Sequence, residues 1–343
     1  MSDWQSLDYF DYELPESRIS QYPRMPRDSA RLLVAAGDEL THTRVSDLCV
    51  YFNAGDVLVL NNTKVRHARL FLEKPTGGKV EILLLSPVGK TGENQWRALV
   101  KPSKRVADGT ELVVPEEPDK PVVRVLGGDD QSRFVEVLDA DAAEELGQVP
   151  LPPYITETLE DPSRYQTVYA QQIGSAAAPT AGLHLTEKLL TDLRELGVEI
   201  HEVELEVGIG TFRPIATEDI ESHDMHSESY NISAVVGEAL HRAKSEGRRI
   251  TAVGTTVVRT LESYGSTGEL SGDTELYIKR GFDWQFVDRL MTNFHVPKSS
   301  LLVMVDALIG ERWKDVYRTA LDYKSDDPYR LLSLGDAMLL ERL

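Results

Sequence analysis

Apolar residues recur in two rhythms along this chain. Over residues 57–138 they alternate in short stretches, and 57–60, 68–72, 80–85, 96–100, 112–114, 122–125 and 134–138 read as strands. Turn-forming residues separate them at Thr76-Gly77-Gly78, across 89–94, and at Gly127-Gly128-Asp129-Asp130. Short, closely spaced strands with little helix between them predict a small antiparallel barrel.

The rhythm changes after Pro150, with Pro152-Pro153 at the boundary. Leu189, Leu190, Leu193 and Leu196 repeat at helical spacing over 187–196, with Thr186 placed to cap the start and Gly197 to stop the end. Residues 198–207 read as a strand. Val236, Ala239, Leu240 and Ala243 give a second helix over 233–247. Residues 249–253 form a strand that runs through Gly254-Thr255-Thr256 into a third helix. Trp313, Val316, Tyr317, Ala320 and Leu321 mark a late helix, and 16–21 carry a helix signal near the start. Strands alternating with helices imply an α/β core. The chain therefore reads as an α/β core with an inserted antiparallel β-barrel domain: residues 1–60 and 151–343 form the core, and 61–150 the barrel.

Composition narrows the setting. The first eleven residues are polar and acidic, without the basic-then-apolar order of a secretory leader. No apolar run approaches the ~20 residues of a membrane span, and the single cysteine, Cys49, forms no internal disulfide. A cytoplasmic location is expected, with no membrane attachment and a monomeric state. The net charge of -19 disfavours a nucleic-acid partner on its own, since phosphates call for a basic footprint. The acid is uneven, however: residues 116–161 hold 13 Asp and Glu against 3 Lys and Arg. Basic sets occur elsewhere, at Arg24, Arg27 and Arg31, at Lys64, Arg66 and Arg69, and at Arg97, Lys101, Lys104 and Arg105. Each is also what a solvated surface carries.

Four segments hold more small and polar residues than packing requires. Ala176-Ala177-Ala178-Pro179-Thr180-Ala181-Gly182-Leu183-His184 precedes a helix, where free N–H groups suit an anion and His184 suits proton transfer. A tight loop with a structural histidine would look the same. Gly208-Ile209-Gly210-Thr211-Phe212-Arg213 follows a strand; Phe212 and Arg213 could clasp a planar base, or the glycines could mark a bulge. Gly254-Thr255-Thr256 opens a helix whose donors suit a carboxylate, while Arg259 further along suits a core ion pair. Asn293, His295 and Lys298 gather before an apolar helix, where Pro297 fits the first helical position and Ser299 a cap. His223 and His226 would share a face if helical, but no third ligand stands at a diagnostic spacing, so no metal is expected.

Together these segments resemble the S-adenosylmethionine:tRNA ribosyltransferase-isomerases of queuosine biosynthesis, from about Phe10 to Met338. Further landmarks are Phe-Asp-Tyr-Glu-Leu-Pro at 10–15, Ile-Ser-Gln-Tyr-Pro at 19–23, Val-Leu-Asn-Asn-Thr-Lys-Val at 59–65 and Ala-Leu-Val-Lys-Pro-Ser-Lys at 98–104. Leu-Pro-Pro-Tyr-Ile at 151–155, Tyr-Gln-Thr-Val-Tyr-Ala at 165–170, Met-His-Ser-Glu at 225–228 and Gly-Asp-Ala-Met at 335–338 complete the set.

The resemblance implies a reaction. The aminomethyl group of 7-aminomethyl-7-deazaguanine, in a tRNA anticodon loop, attacks the ribosyl unit of S-adenosylmethionine. Adenine and methionine leave, and the ribose rearranges to the epoxycyclopentanediol of epoxyqueuosine. S-adenosylmethionine is then a co-substrate, and no metal is called for. A base must take a proton beside the sulfonium, and an acid should assist adenine. The resemblance points to His184, His295, His226 and Glu228 for proton transfer. It points to Thr180, Gly182, Glu206, Gly208, Gly210, Thr211, Phe212, Arg213, Thr255, Thr256 and Asn293 for substrate binding. Lys64, Arg66, Lys101 and Lys104 are the nucleic-acid-binding candidates. The chain departs from the family pattern at Glu206, where histidine is usual, at Asn62 and Lys64, where aspartate and arginine are usual, and at His67, where proline is usual. Residues 278–281 also lack the expected proline. These departures leave room for a relative that uses the same donor on another deazapurine, or one that binds tRNA without turnover.

Overall fold

A computed structural model describes residues 3–88, 94–128, 132–208, 215 and 217–343. The strands in chain order are β1 (Arg31–Ala36), β2 (Glu39–Arg44), β3 (Val57–Asn61), β4 (Thr63–Val65), β5 (Arg69–Glu73), β6 (Lys79–Pro87), β7 (Gln95–Lys101), β8 (Glu111–Val114), β9 (Glu117–Gly128) and β10 (Arg133–Val137). They continue with β11 (Gln172–Ser175), β12 (Glu199–Leu205), β13 (Glu228–Asn231), β14 (Ile250–Val253), β15 (Ser271–Thr274), β16 (Arg289–Asn293) and β17 (Ala337–Glu341). The helices are α1 (Ala140–Leu146), α2 (Glu187–Glu195), α3 (Ala234–Ser245), α4 (Thr255–Thr267), α5 (Ser300–Ile309) and α6 (Trp313–Leu321).

The chain divides into two units. One comprises Met1–Lys64, Pro152–Gln172 and Ala178–Leu343; the other comprises Val65–Leu151 and Ile173–Ala177. The first is built on a nine-stranded sheet of order β15-β13-β12-β3-β14-β16-β17-β1-β2. Its central strands β3, β14 and β16 are buried throughout, as strands covered on both sides must be. One face packs Leu58, Leu60, Val253 and Met291 against Leu189, Leu190 and Leu193 of α2. Helices α3 to α6 complete the α/β arrangement.

The second unit is a closed barrel of order β10-β7-β6-β5-β8-β9. Alternation fills its interior with Leu70, Leu72, Val80, Ile82, Ala98, Val100, Val123, Val125 and Val135. The barrel strands are those read from the sequence at 68–72, 80–85, 96–100, 112–114, 122–125 and 134–138.

Caps account for several helix starts. Thr186 accepts from the Leu189 N–H, Ser233 from Val236 and Ser299 from Leu302. Residues 57–60, on the core side of the expected boundary, form β3 of the large sheet, where they gain two parallel neighbours. Three local expectations are corrected. The signal at 16–21 yields only a single 3-10 turn, Glu16–Arg18, held by bonds too local to propagate. Pro297 precedes the α5 cap instead of occupying its first turn. His223 and His226 follow a short 3-10 turn in non-helical backbone, so no helical face is shared.

Candidate active site

Strands β12, β3, β14 and β16 are mutually parallel, so their carboxyl ends emerge at one edge of the sheet. In open α/β sheets ligands bind at that edge, because loops and helix N-termini gather there. The sequence delivers Glu206 to Gly208 there after β12, Asn62 after β3, Gly254-Thr255-Thr256 after β14, and Phe294-His295 after β16. Asn61 ties two of these ends together: its Nδ2 donates to the Leu205 carbonyl at 3.1 Å, and its Oδ1 accepts from the Thr63 N–H at 3.1 Å. Asn62 Nδ2 donates to Glu202 Oε2 at 3.0 Å. An aspartate at 62 would set two carboxylates against each other, which gives the departure at this position a local reason.

Asn293, the last residue of β16, is a buried hub. Its Oδ1 accepts from the Thr180 hydroxyl at 2.9 Å. Its Nδ2 donates to the Leu332 carbonyl at 3.3 Å and meets His184 Nε2 at 3.1 Å. The carbonyl partner fixes which end of the amide is nitrogen. His184 Nε2 must therefore accept, and the ring proton of the neutral imidazole lies on Nδ1. Burial pushes the His184 pKa down to about 4, only partly opposed by Asp336. Gly182, in the same 3-10 turn, lies against the Tyr169 hydroxyl, where a Cβ would collide. Ala181 packs beside Gly254, so the Thr180 to His184 turn reaches the start of α4 as well as the end of β16. Gly254 sits at φ +94°, a conformation open to glycine, and lets the chain turn from β14 directly into α4.

A narrow cavity lies beside this helix start. His223, His226, Glu228, Thr255, Thr256, Arg259, Tyr277 and Ser300 line it, with Met225, Leu301 and Met304 among its apolar walls. The N-cap of α4 is Gly254, and among the described residues no side chain caps that helix, which leaves backbone N–H donors in its first turn. The Thr256 and Tyr277 hydroxyls are buried without a hydrogen-bond partner among the described residues. Glu228 is fully engaged: one carboxylate oxygen accepts from the Gly208 N–H at 2.9 Å, and the other is paired with Arg259. Arg259 also donates to the carbonyls of Thr274 at 2.9 Å, Leu276 at 3.2 Å and His226 at 3.4 Å. This buried pair fastens the exit of β12 to α4 and to the segments around His226 and Leu276. Burial, reinforced by His226, lowers the pKa of His223. Burial, reinforced by Glu221 and Asp219, raises that of Tyr277.

The expected residues thus fall into two neighbouring groups on the same edge. Thr180, Gly182, His184 and Asn293 form one, and His226, Glu228, Thr255 and Thr256 the other. Gly208 joins the second through Glu228, and Glu206 is exposed, its N–H donating to the Ser229 carbonyl at 3.0 Å. His295 does not line the cavity. Its Nε2 bonds the Thr292 hydroxyl at 3.1 Å, its N–H donates to the Tyr317 hydroxyl at 2.9 Å, and burial pushes its pKa down to about 3. Gly210, Thr211, Phe212 and Arg213 lie outside the described residues. Lys64 is exposed at β4. In the barrel unit, the Arg66 guanidinium stacks 4.9 Å from the Trp96 ring centre, Lys101 ends β7 exposed, and Lys104 lies in a 3-10 turn. Tyr277, which also lines the cavity, belongs to no segment singled out in the sequence, whereas Ser300 closes the polar segment 292–300. Arg259, read from the sequence as a core ion pair, makes one with Glu228 and also lines the cavity.

Comparison with known proteins agrees with this architecture. The profile of a family described as Queuosine biosynthesis protein matches residues 7–340. The S-adenosylmethionine:tRNA ribosyltransferase-isomerase of Carboxydothermus hydrogenoformans is 46% identical, over 96% of this chain and 98% of that protein. The protein of the same name from Staphylococcus aureus is 44% identical, over 98% and 99%. A crystal structure of S-adenosylmethionine tRNA ribosyltransferase from Thermotoga maritima is 33% identical, covers 97% of this chain and 99% of its own, and superposes with a TM-score of 0.55.

Proposed function

The chain belongs to the queuosine biosynthesis protein family, and from that premise we propose that it is an S-adenosylmethionine:tRNA ribosyltransferase-isomerase acting on 7-aminomethyl-7-deazaguanine in an anticodon loop. The observation that carries this reading is the meeting of an uncapped helix start, two unpartnered hydroxyls and a buried, neutral histidine at one carboxyl edge of the parallel strands. The first turn of α4 binds the methionine carboxylate of the donor, as helix N-termini bind anions. Thr256 and Tyr277 supply hydroxyls to the donor's polar groups.

Roles divide by what each group has left to give. His226 is exposed and lines the cavity, so it is the imidazole able to exchange a proton beside sulfur. His184, with its lone pair on Asn293 and its proton on Nδ1, acts as a hydrogen-bond donor, held by Thr180 through the same amide. Glu228 has no free oxygen and positions Gly208. His295 holds the β16 exit in place from behind. The amine of the deazaguanine forms a bond to the ribosyl carbon, adenine and methionine depart, and the carbocycle closes with its epoxide. Being single-stranded, the anticodon loop presents the base without breaking a pair. The protein acts as a monomer in the cytoplasm and needs no metal in this scheme.

The test is incubation with S-adenosylmethionine and tRNA carrying the aminomethyl base, followed by chromatography. Equal release of adenine and methionine is expected, with a loss of ~10²-fold or more in His226→Ala. S-adenosylhomocysteine among the products, or donor binding without any release, would overturn the assignment.

A further inference from the structure

The barrel interior is filled by inward apolar residues, yet its outside also carries large apolar groups. On β7, Ala98 and Val100 point inward, so Arg97, Leu99 and Lys101 face out. Cross-strand register sets Phe134 of β10 opposite Arg97, Leu83 of β6 opposite Leu99, and Glu81 of β6 opposite Lys101, with Phe71 of β5 opposite Glu81. Phe71 is 53% exposed, Phe134 42% and Leu126, beside it on β9, 36%. Several cations of this unit are paired with carboxylates locally: Arg69 with Glu81, Lys120 with Asp139, Arg124 with Glu111 and Glu136, and Arg133 with Asp108. Arg97 and Lys101, which face outward on β7, are not. Among the described residues neither has a carboxylate partner, and Arg97 donates only to the Ser132 hydroxyl, at 3.1 Å. Residues 95–105 hold four cations and no acid, in a chain of net charge -19.

We propose that this outer face, across β5, β6, β7 and β10, is a docking surface for the RNA of the substrate, with bases stacking on Phe134 and phosphates meeting Arg97 and Lys101. The inference rests on the tRNA reading above and adds where the RNA is held. An aromatic ring beside unneutralised cations on the strand face of a small barrel is the combination that unpaired RNA requires, because every base has a π-face and every nucleotide a charge. A second copy fits less well, since a twofold contact would bring these cations against themselves.

The experiment measures fluorescence anisotropy of labelled tRNA over a salt series for the parent protein, Phe134→Ala, Arg97→Ala and Lys101→Ala. Phe134→Ala is expected to raise the tRNA Kd about 5- to 100-fold. Each charge variant is expected to lower the salt slope by about one. In turnover the loss should appear in KM for tRNA rather than in kcat, and S-adenosylmethionine affinity by calorimetry reports that each variant is folded. Turnover by the parent with the same tRNA Kd in all four proteins overturns the surface and leaves the activity standing. Weaker tRNA binding by the variants, with no turnover by the parent, overturns the activity and leaves the surface standing. A fall in sedimentation mass of Phe134→Ala at unchanged tRNA Kd assigns the face to self-association and overturns the proposal.

Discussion

Acid should unfold this protein through two histidines before it does so through carboxylates. His184 and His295 are held neutral by burial, with pKa values pushed to about 4 and about 3, against about 6.5 in the unfolded chain. A depressed native pKa means that the unfolded state takes up the proton first. The stability is therefore complete above about pH 6.5 and is lost as pH falls toward 4. Between pH 7.5 and 5.0 each imidazole withdraws ~2 kcal/mol, and the pair ~4 kcal/mol, from a total that is ordinarily ~5–15 kcal/mol. His42 and His223 shift in the same direction but are less deeply buried and add less. Urea unfolding at both pH values, for the parent and for the His184→Gln/His295→Gln variant, isolates the effect because the other titrating groups are common to both. The variant should lose ~4 kcal/mol less over the interval, and each single variant ~2 kcal/mol less. Equal losses in all proteins would refute the buried, neutral state of these rings.

Asn293→Ala should free the His184 ring, mixing its tautomers in ¹⁵N NMR and lowering kcat/KM by ~10-fold or more; an unchanged Nδ1–H signal would remove Asn293 from the site. Thr256→Val should weaken S-adenosylmethionine binding by about 5-fold, near ~1 kcal/mol for one hydrogen bond, read by calorimetry. Gly182→Ala places a methyl against the Tyr169 hydroxyl and should cost ~1–3 kcal/mol in thermal unfolding, with little change if the turn can shift.

The fold was largely legible because two periodicities mark two kinds of element. Period-two alternation announced all six barrel strands, and leucines at helical spacing announced α2 with its Thr186 cap. The order of strands within the sheet is decided by neighbours in space. Residues 57–60 look like any short apolar strand, and only pairing with β12 and β14 makes them central to the large sheet. The site was legible in its glycine turns and polar strand ends, which mark where a backbone must turn sharply or meet a ligand. It was illegible where chemistry depends on what a group already holds. Glu228 and His295 look like proton-transfer residues by type, yet one is spent on Gly208 and Arg259 and the other is walled in beside Thr292 and Tyr317. Tyr277 carries no local signal at all, and only the fold shows that its hydroxyl is buried without a partner among the described residues.

The most direct measurement follows the carbon skeleton of the donor. S-adenosylmethionine labelled with ¹³C throughout its ribosyl unit is supplied with tRNA bearing the aminomethyl base, and the RNA is digested and weighed. The account predicts that the five-carbon label appears intact in the modified nucleoside, one equivalent per adenine released. Label confined to small-molecule products, or an RNA that gains only a methyl group, would contradict it.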